Sequence, residues 1–385
     1  MQLTADETRL IERTAALARD VVAPHAARWE RERRIGLEAL PAAAELGLLR
    51  LQVPASFGGL DYSFSCKTRI AEALAAADFA FAMSLVNTQN VAANLARHAH
   101  ADVAARHVPD LIAGRRLGCT ALTEPGAGSD FAAIRTRATR VEGGWRIDGS
   151  KAWITNASHA DVIVLYAQTE PGAGARGIAA FVVDGRREGF VREAPYALGG
   201  QHAIGAGGFR LEGYRADDDE LLQPAGKAFK AAMTSINGAR TYIAAMCCGM
   251  IGEALRVASE FGRERTTFGK PLVDHQGWRW RLVAAATELA ACRSMVAQAA
   301  ACIDAGEDAQ LLAAQAKLLA TRMAERHVAA LAQAMGAEGL REQHPFSRHL
   351  MGARVAAFVD GSSEMLLERI WAVMSSATTT SRTPP

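Results

Sequence analysis

The spacing of apolar residues changes twice along this chain of 385 residues, and this change constrains the fold more than any single motif. Up to residue 118 apolar side chains recur every three or four positions, as in Leu37, Leu40 and Leu48, which is typical of amphipathic helices. Between residues 119 and 222 the pattern shifts to short alternating or β-branched runs, which favours strands. Beyond that segment, long runs rich in Ala and Leu return to helical spacing.

These three segments predict an α+β protein with three domains and a tail. We expect an N-terminal helical domain (1–118), a central antiparallel β domain (119–222), a C-terminal four-helix bundle (223–376) and a disordered tail (377–385). Glu142-Gly-Gly144 predicts a hairpin between two strands. The predicted strands are Arg137 to Val141, Trp145 to Asp148, Val162 to Ala167, Ile178 to Val183 and Phe209 to Glu212, and the predicted bundle helices are Lys227 to Glu264, Asp274 to Asp304, Glu307 to Met335 and Ser362 to Met374.

Composition excludes several classes of protein. Half of the residues are hydrophobic, 22% are charged and the net charge is +2, so no strong field favours nucleic acid or membrane surfaces. The six cysteines lack the spacing of a metal site, which indicates free thiols in a reducing compartment and no metal. Acidic residues such as Asp6 and Glu12 near the start, and the lack of a long apolar run, predict a cytoplasmic protein without a signal peptide or membrane span.

The segment Cys119-Thr-Ala-Leu-Thr-Glu-Pro-Gly-Ala-Gly-Ser-Asp130 joins a β-like run to a Gly-rich polar turn. Gly126 and Gly128 permit a close approach of backbone to a ligand, because they carry no Cβ. Thr123 and Ser129 add hydroxyl groups. The alternative is a tight turn that is capped by its own serine and aspartate side chains.

A second segment, Gly149-Ser-Lys-Ala-Trp-Ile-Thr-Asn156, has the pattern of a strand. Alternation along it places Trp153 and Thr155 on one face, with Lys151 beside them. A flat ring next to a small hydroxyl suits a flat heterocycle. The alternative is that Trp153 is a buried core aromatic.

Together the two segments resemble the acyl-CoA dehydrogenase family, whose central domain carries a Thr-Glu-Pro-x-Ala-Gly-Ser-Asp turn and a Lys-x-Trp-Ile-Thr-Asn strand. The resemblance covers nearly the whole chain, and the family has the same order of domains. It implies FAD as the cofactor, with the flavin ring between the β domain and the bundle. No Gly-x-Gly-x-x-Gly follows a strand here, so flavin binding is what the resemblance implies rather than what residue spacing shows.

Two C-terminal segments extend the resemblance. Arg265-Thr-Thr-Phe-Gly-Lys-Pro-Leu-Val-Asp-His-Gln276 is similar to the family signature Arg-x-x-Phe-Gly-x-x-Leu-x-x-x-Gln, although an ordinary helix-turn-helix loop is the alternative. Gln333-Ala-Met-Gly-Ala-Glu-Gly339 is similar to a family loop, with Ala337 in place of a glycine. In relatives both segments reach the cofactor of a neighbouring subunit, which implies a dimer or tetramer. The implied cofactor contacts are Leu122, Thr123, Gly128, Ser129, Trp153, Thr155, Arg265, Thr267, Phe268, Gln276, Gln333, Gly336, Ser362 and Glu364.

The resemblance also implies the chemistry, in which a carboxylate removes the α-proton of an acyl thioester while the β-hydrogen leaves as hydride to the flavin. The family's Tyr-Glu-Gly-Thr-Ser motif is matched by Val359-Asp-Gly-Ser-Ser363, so Asp360 takes the position of the catalytic base. The shorter side chain draws the carboxylate back by about 1.5 Å. Another base position known in relatives is Ala239 here, and it carries no base. Arg240 and Ser129 match positions near the substrate.

Asp360 and Arg240 each have a structural alternative. Asp360 precedes a helix and has the residue type of a helix N-cap. Arg240 lies in a bundle helix, where an ion pair with an acidic neighbour would account for it.

The resemblance therefore predicts an FAD-dependent dehydrogenase that places a double bond in an acyl thioester. The substrate would be a short, branched or cyclic acyl-CoA or an acyl group on a carrier protein, with electron transfer flavoprotein as re-oxidant. Two alternatives are a flavin oxidase of the nitroalkane oxidase type, whose members use an aspartate at the matching position, and a non-catalytic flavin-binding homologue in which Asp360 only caps a helix.

Overall fold

A computed structural model describes the backbone of residues 3–380 and the side chains of residues 3–375. The fold has three parts, in the order that the sequence predicts: helices, a β domain and a second group of helices. Residues 381–385 of the predicted disordered tail lie outside the described residues, while the last helix continues through 377–380.

Six α-helices form the described part of the N-terminal domain. The first begins at a capping box, because Thr4 Oγ1 accepts a hydrogen bond from the Glu7 amide and Glu7 Oε2 accepts one from the Thr4 amide. The fifth begins at Asp78, whose carboxylate accepts from the Phe81 amide at 2.7 Å. The helices are α1 (Ala5–Leu17), α2 (Ala23–Glu32), α3 (Leu40–Glu45), α4 (Phe64–Ala77), α5 (Phe79–His98) and α6 (Ala101–Ile112).

The central domain contains one sheet of eight strands within the described residues. The strands are β1 (Gly118–Ala121), β2 (Arg137–Val141), β3 (Gly144–Ile154), β4 (Val162–Gln168), β5 (Ile178–Asp184), β6 (Phe190–Arg192), β7 (Gly207–Asp217) and β8 (Leu221–Gln223). The order is β6-β7-β3-β2-β4-β5-β8, with β1 beside β4. The predicted hairpin is confirmed, since Val141 pairs with Gly144. The sheet is mostly antiparallel, as predicted, but it is mixed, because β1 and β2 both pair with β4 in parallel.

Strands β4 and β5 contribute residues to both hydrophobic cores of the protein. Ile163 and Leu165 of β4 point into the large core that includes the helices, whereas Val162 and Val164 point into a second core on the other face. All seven residues of β4 are buried, which explains its continuous apolar run.

The C-terminal domain has five helices in the described residues rather than the four predicted. They are α7 (Ala228–Glu264), α8 (Gln276–Asp304), α9 (Gln310–Ala334), α10 (Phe346–Phe358) and α11 (Ser363–Thr380), and a small hairpin of β9 (Thr266–Thr267) and β10 (Lys270–Pro271) precedes α8. Helix α10 was not predicted, because proline and glycine, here Pro345 and Gly352, both disfavour a helix. In the structure Pro345 is its N-cap residue, where a proline does no harm.

Helix α7 is the central helix of the C-terminal domain and packs against α4, α8 and α9. It is long and apolar enough to cross a membrane by length and composition, but 72% of its most apolar window is buried inside the protein. This burial is what a core helix requires. The cysteines of the described residues are all free, as predicted.

Candidate active site

A buried ion pair joins the two polar motifs of the central domain. Lys151 Nζ lies 2.9 Å from Glu124 Oε1 and 2.9 Å from the carbonyl oxygen of Leu122. The other bonds of Glu124 come from the amides of Arg135 and Thr136, at 2.6 and 2.9 Å. Burial lowers the pKa of Lys151 to about 8, against the opposing charge of Glu124. The charged residues of the motifs therefore neutralise each other and fix the segments together.

The expectation that Lys151 lies beside Trp153 and Thr155 on one strand face is wrong. The pairing of β3 with β7 shifts register between Lys151 and Ile154, so the lysine turns inward and the tryptophan outward. Trp153 is exposed and Thr155 is partly exposed, whereas Lys151 is buried.

Trp153 has a costly backbone conformation, with φ at 60°. Its side chain is 63% exposed, and its ring lies at an angle of 57° to that of Tyr196, with ring centroids 4.6 Å apart. The alternative of a buried core aromatic is therefore wrong. A bulky residue in the left-handed region is typical of a functional site, where the surroundings impose the strain.

Several polar groups of the two motifs have no partner among the described residues. Among the described residues, no hydrogen bond is made by the hydroxyls of Thr123, Ser129 and Thr155 or by the indole N–H of Trp153. A Cβ added to Gly128 would meet nothing nearer than the Thr123 methyl at 4.0 Å, so the turn is open. The two segments are joined by a backbone bond from the Ala152 amide to the Thr123 carbonyl oxygen at 3.1 Å. Unused hydroxyls and an exposed flat ring on joined segments fit a heterocycle with polar edges, such as the flavin of FAD.

The alternative of a self-capped turn does not describe this segment. Asp130 precedes a single 3-10 turn but makes no side-chain cap bond to it. The turn is closed instead by paired backbone bonds between Glu124 and Ala127, at 3.0 and 3.2 Å.

The loop between α7 and α8 is a tight hairpin that exposes an aromatic ring. Phe268 and Gly269 have φ values of 50° and 80°, as the two central residues of a type I′ turn require. Phe268 is 97% exposed, and His275 Nε2 donates to the Thr267 carbonyl oxygen at 3.1 Å. The loop is therefore more specific than an ordinary helix-turn-helix connection.

The remaining predicted cofactor residues of the C-terminal domain lie on the surface. Arg265, Gln276 and Gln333 are exposed, and Gly336 begins the turn after α9 with φ at 64°. The Trp278 indole donates to the Ala334 carbonyl oxygen at 2.8 Å, which brings the start of α8 to the end of α9. The two segments that were predicted to reach a neighbouring subunit are thus adjacent on one accessible surface.

The loop between α10 and α11 carries the predicted base. Lys317 of α9 is fully buried and its ammonium donates to the carbonyl oxygens of Val359 and Gly361, the latter at 2.5 Å. Arg240 of α7 donates from Nε to the carbonyl oxygen of Asp360 at 3.1 Å. Two cations therefore bind three successive carbonyl groups, which fixes the backbone and leaves the aspartate side chain out of the bonding.

Asp360 itself lies in the left-handed region, with φ at 53°, and is half-buried. No hydrogen bond to its carboxylate is made by the described residues. Burial raises the pKa of Asp360 above its ordinary value, although the charges of Lys317 and Arg240 oppose the shift. A free carboxylate with a raised pKa has the properties of a general base.

Both structural alternatives for the polar residues are wrong. The N-cap residue of α11 is Ser362, whose Oγ accepts from the Met365 amide at 3.5 Å, and not Asp360. Arg240 forms no ion pair within the described residues, and its second bond goes to Asn237 Oδ1 at 3.2 Å. Glu364 is exposed on the first turn of α11.

Lys317 belongs to none of the motifs in the sequence analysis, so its position at the candidate site was not predicted. A lone lysine in an Ala-rich helix is ordinarily solvent-exposed. The available signal is spacing, because the buried residues Ala313, Ala316, Ala320 and Ala324 recur every three or four positions and place residue 317 on the same buried side.

Known protein families match all three domains of the chain. Three acyl-CoA dehydrogenase domain profiles match the chain: the N-terminal domain over residues 4–115, the middle domain over 119–213 and the C-terminal domain over 226–375. The chain is 29% identical to the mitochondrial short/branched chain specific acyl-CoA dehydrogenase of Rattus norvegicus, over 96% of this chain and 86% of that protein.

Solved structures have the same fold over nearly the whole chain. The butyryl-CoA dehydrogenase of Megasphaera elsdenii superimposes with a TM-score of 0.93 at 26% identity, covering 97% of this chain and 99% of that one. A glutaryl-coenzyme A dehydrogenase in complex with glutaryl-CoA gives 0.93 at 27%, covering 98% and 96%. These matches confirm the predicted enzyme class, an oxidoreductase that acts on CH–CH bonds, and the family for which the sequence analysis expects FAD as the cofactor. The chain belongs to the acyl-CoA dehydrogenase family.

Proposed function

We propose that this enzyme introduces an α,β double bond into an acyl thioester, with Asp360 as the base that removes the α-proton. The observation that carries the proposal is the carboxylate of Asp360, which makes no hydrogen bond in the described residues although its backbone is bound by Lys317 and Arg240. FAD, when bound, accepts the β-hydride.

The chain's own groups account for the proton transfer. Burial raises the pKa of Asp360, so the carboxylate takes up a proton more readily than an exposed aspartate does. The fixed loop backbone keeps the carboxylate in one place, which matters because a displacement of about 1 Å costs on the order of 10²-fold in rate. The positive charge of Arg240 lies beside this group and would stabilise negative charge that develops on the thioester oxygen.

For the cofactor we propose the residues that the sequence predicted. Thr123, Ser129 and Thr155 would donate to the polar edge of the flavin, and Trp153 would cover one side of it. Arg265 would bind the diphosphate through its planar pair of donors. The other proposed contacts are Leu122, Gly128, Thr267, Phe268, Gln276, Gln333, Gly336, Ser362 and Glu364.

The proposed substrate is a short, branched or cyclic acyl group on coenzyme A or on a carrier protein. A base that is one methylene shorter than the family's glutamate reaches less far. The named activity of the rat relative, on short and branched acyl-CoA, supports the same range. We propose electron transfer flavoprotein as re-oxidant and the cytoplasm as location.

We also propose a homo-oligomer, a dimer or tetramer. The support is the accessible surface formed by the Phe268 hairpin and the ends of α8 and α9, which exposes large apolar groups. These include Phe268, Trp280, Val283 and Leu340, at 97%, 61%, 59% and 77% exposure. A second copy of the chain would cover them.

The test of the base is anaerobic bleaching of the holoprotein's flavin by a panel of acyl thioesters. We expect at least one short thioester to bleach the native protein and Asp360→Asn to slow bleaching by about 10²- to 10⁴-fold. Glu368→Gln, an exposed carboxylate on α11, is the matched control and should leave the rate unchanged. Absence of bleaching by every thioester, or unchanged bleaching in Asp360→Asn, would refute the proposal.

A second candidate is a flavin oxidase of the nitroalkane oxidase type. The aspartate at the base position favours it, because such a substrate has a more acidic carbon and needs no polarised thioester. The retained Arg240 next to Asp360 argues against it. Oxygen uptake with nitroalkanes, together with no bleaching by thioesters, would favour the oxidase.

A further inference from the structure

A second buried lysine, Lys67 of α4, lies outside the machinery described above. Only 3% of this residue is exposed. Its ammonium donates to Gln52 Oε1 at 3.0 Å and to Asn90 Oδ1 at 2.5 Å. Both acceptors are neutral amides, so neither one balances the charge.

No carboxylate in the described residues pairs with Lys67. Its other close neighbours are the aromatic rings of Phe64 and Tyr242, whose centroids lie 5.8 and 5.5 Å from the ammonium. A buried charge ordinarily needs an opposite charge, because desolvation is costly. The surroundings of Lys67 therefore supply hydrogen-bond acceptors for its ammonium but no opposite charge.

The cluster also leaves two hydrogen-bond donors unused. An ammonium has three donors, and Lys67 uses two of them on Gln52 and Asn90. Asn90 in turn donates from Nδ2 to the Tyr242 hydroxyl oxygen at 3.1 Å. The hydroxyl's own proton has no acceptor among the described residues, so an N–H and an O–H remain available on either side of one amide.

The cluster and the candidate active site share helix α7. Tyr242 follows Arg240 by two residues on α7, and the ring of Phe64 lies against Gly238 of the same helix, where an added Cβ would come within 3.2 Å. Burial and the negative charge of Asp360 together raise the pKa of the Tyr242 hydroxyl. One stretch of α7 therefore carries both a residue of the cluster and the arginine that donates to the carbonyl oxygen of Asp360.

We propose that Lys67, Asn90 and Tyr242 form a subsite for a carboxylate at the far end of the acyl chain. This inference rests on the proposed function and narrows its substrate class to coenzyme A or carrier-protein monothioesters of dicarboxylic acids. The two oxygens of such a carboxylate accept from the Lys67 ammonium and the Tyr242 hydroxyl, and its charge supplies the missing counter-ion.

The experiment measures binding and bleaching separately. Holoprotein is titrated by anaerobic calorimetry with succinyl-, glutaryl- and adipyl-CoA and with butyryl-, pentanoyl- and hexanoyl-CoA, in which a methyl group replaces each carboxylate. We expect one dicarboxylic thioester to bind about 10- to 100-fold more tightly than its matched partner. Lys67→Met should remove this preference while changing affinity for the neutral thioesters by less than about threefold.

Two further variants keep the result interpretable. Tyr242→Phe removes one donor and should reduce the preference even if Lys67→Met does not fold, whereas Lys230→Met, an exposed lysine on α7, should leave it unchanged. Equal binding of all matched pairs by the native protein would overturn the subsite, and bleaching by the neutral thioesters would then leave the proposed function intact. A preference that persists in both Lys67→Met and Tyr242→Phe would overturn it as well.

Discussion

Two buried lysines support the two halves of the candidate active site, and they do so differently. Lys151 binds a carbonyl oxygen and the carboxylate of Glu124, so its charge is neutralised within the motif pair. Lys317 binds only carbonyl oxygens, and the nearby carboxylate of Asp360 stays unbonded. The first arrangement fixes a surface on which a cofactor can lie, whereas the second fixes a backbone and leaves its acid free to react.

The largest effect is expected where the charges are paired. Glu124→Gln leaves Lys151 buried without its counter-ion, which costs about 3–5 kcal/mol. The free energy of unfolding of the holoprotein, from denaturant titration, should fall by that amount, and retained FAD should fall with it.

A neutral replacement of the pair provides the control. The double variant Glu124→Leu with Lys151→Met removes both charges and should recover most of the stability, because the desolvation cost disappears as well. If Glu124→Gln lost less than about 1 kcal/mol, the two lysines would not differ in the way described.

The unpaired lysine should affect rate more than cofactor binding. Lys317→Met leaves the carbonyl groups of Val359 and Gly361 without their donor, and a shift of the loop by about 1 Å would slow bleaching by on the order of 10²-fold. Single-turnover bleaching measures the rate, and flavin absorbance per protein should stay close to native. Loss of FAD with an unchanged rate would contradict the division between the two regions.

The pH dependence of bleaching distinguishes a positioning role from general damage. The base works only when deprotonated, so the rate should fall as pH decreases through the raised pKa of Asp360. Since the charge of Lys317 lowers this pKa, Lys317→Met should raise it and move the half-maximal rate to higher pH. A reduced rate with an unchanged profile would mean that the charge of Lys317 does not act on the base.

The smallest expected effect concerns the strained ring of the flavin side. Trp153→Gly and Trp153→Ala both remove the indole, but only glycine adopts φ near 60° without cost. In the apoprotein the glycine variant should be more stable than the alanine variant by about 1 kcal/mol, which is the reverse of their usual order in a strand. Thermal unfolding of both variants measures the difference, and equal stability would mean that the backbone relaxes.

Sequence reasoning could propose residues for the flavin side because the information there is local. Trp153 and Thr155 lie in one motif, and the hairpin of Phe268 lies in another, so each could be read from a few adjacent residues. The inward turn of Lys151 could not, since it depends on the register shift between β3 and β7, two strands far apart in sequence.

The base region shows the opposite case. Asp360 was predicted as the base because its loop matches a motif. Lys317 and Arg240 reach this loop from two other helices, and a pattern along one helix does not show which loop it meets. Helix α10 was missed because Pro345 lies just before it rather than within it, and because packing buries Gly352 inside it. The parallel pairing of β1 with β4 was missed because it joins residues far apart in sequence.

The exposed hairpin between α7 and α8 has a consequence for FAD retention at low protein concentration. Phe268 is turned into water by two residues with positive φ, so the isolated chain gains nothing from this ring. If a second copy covers it while the proposed Arg265 contact reaches that copy's FAD, assembly and cofactor retention become one equilibrium by mass action. The flavin would then be lost at low protein concentration, and added FAD would restore both the cofactor and the oligomer.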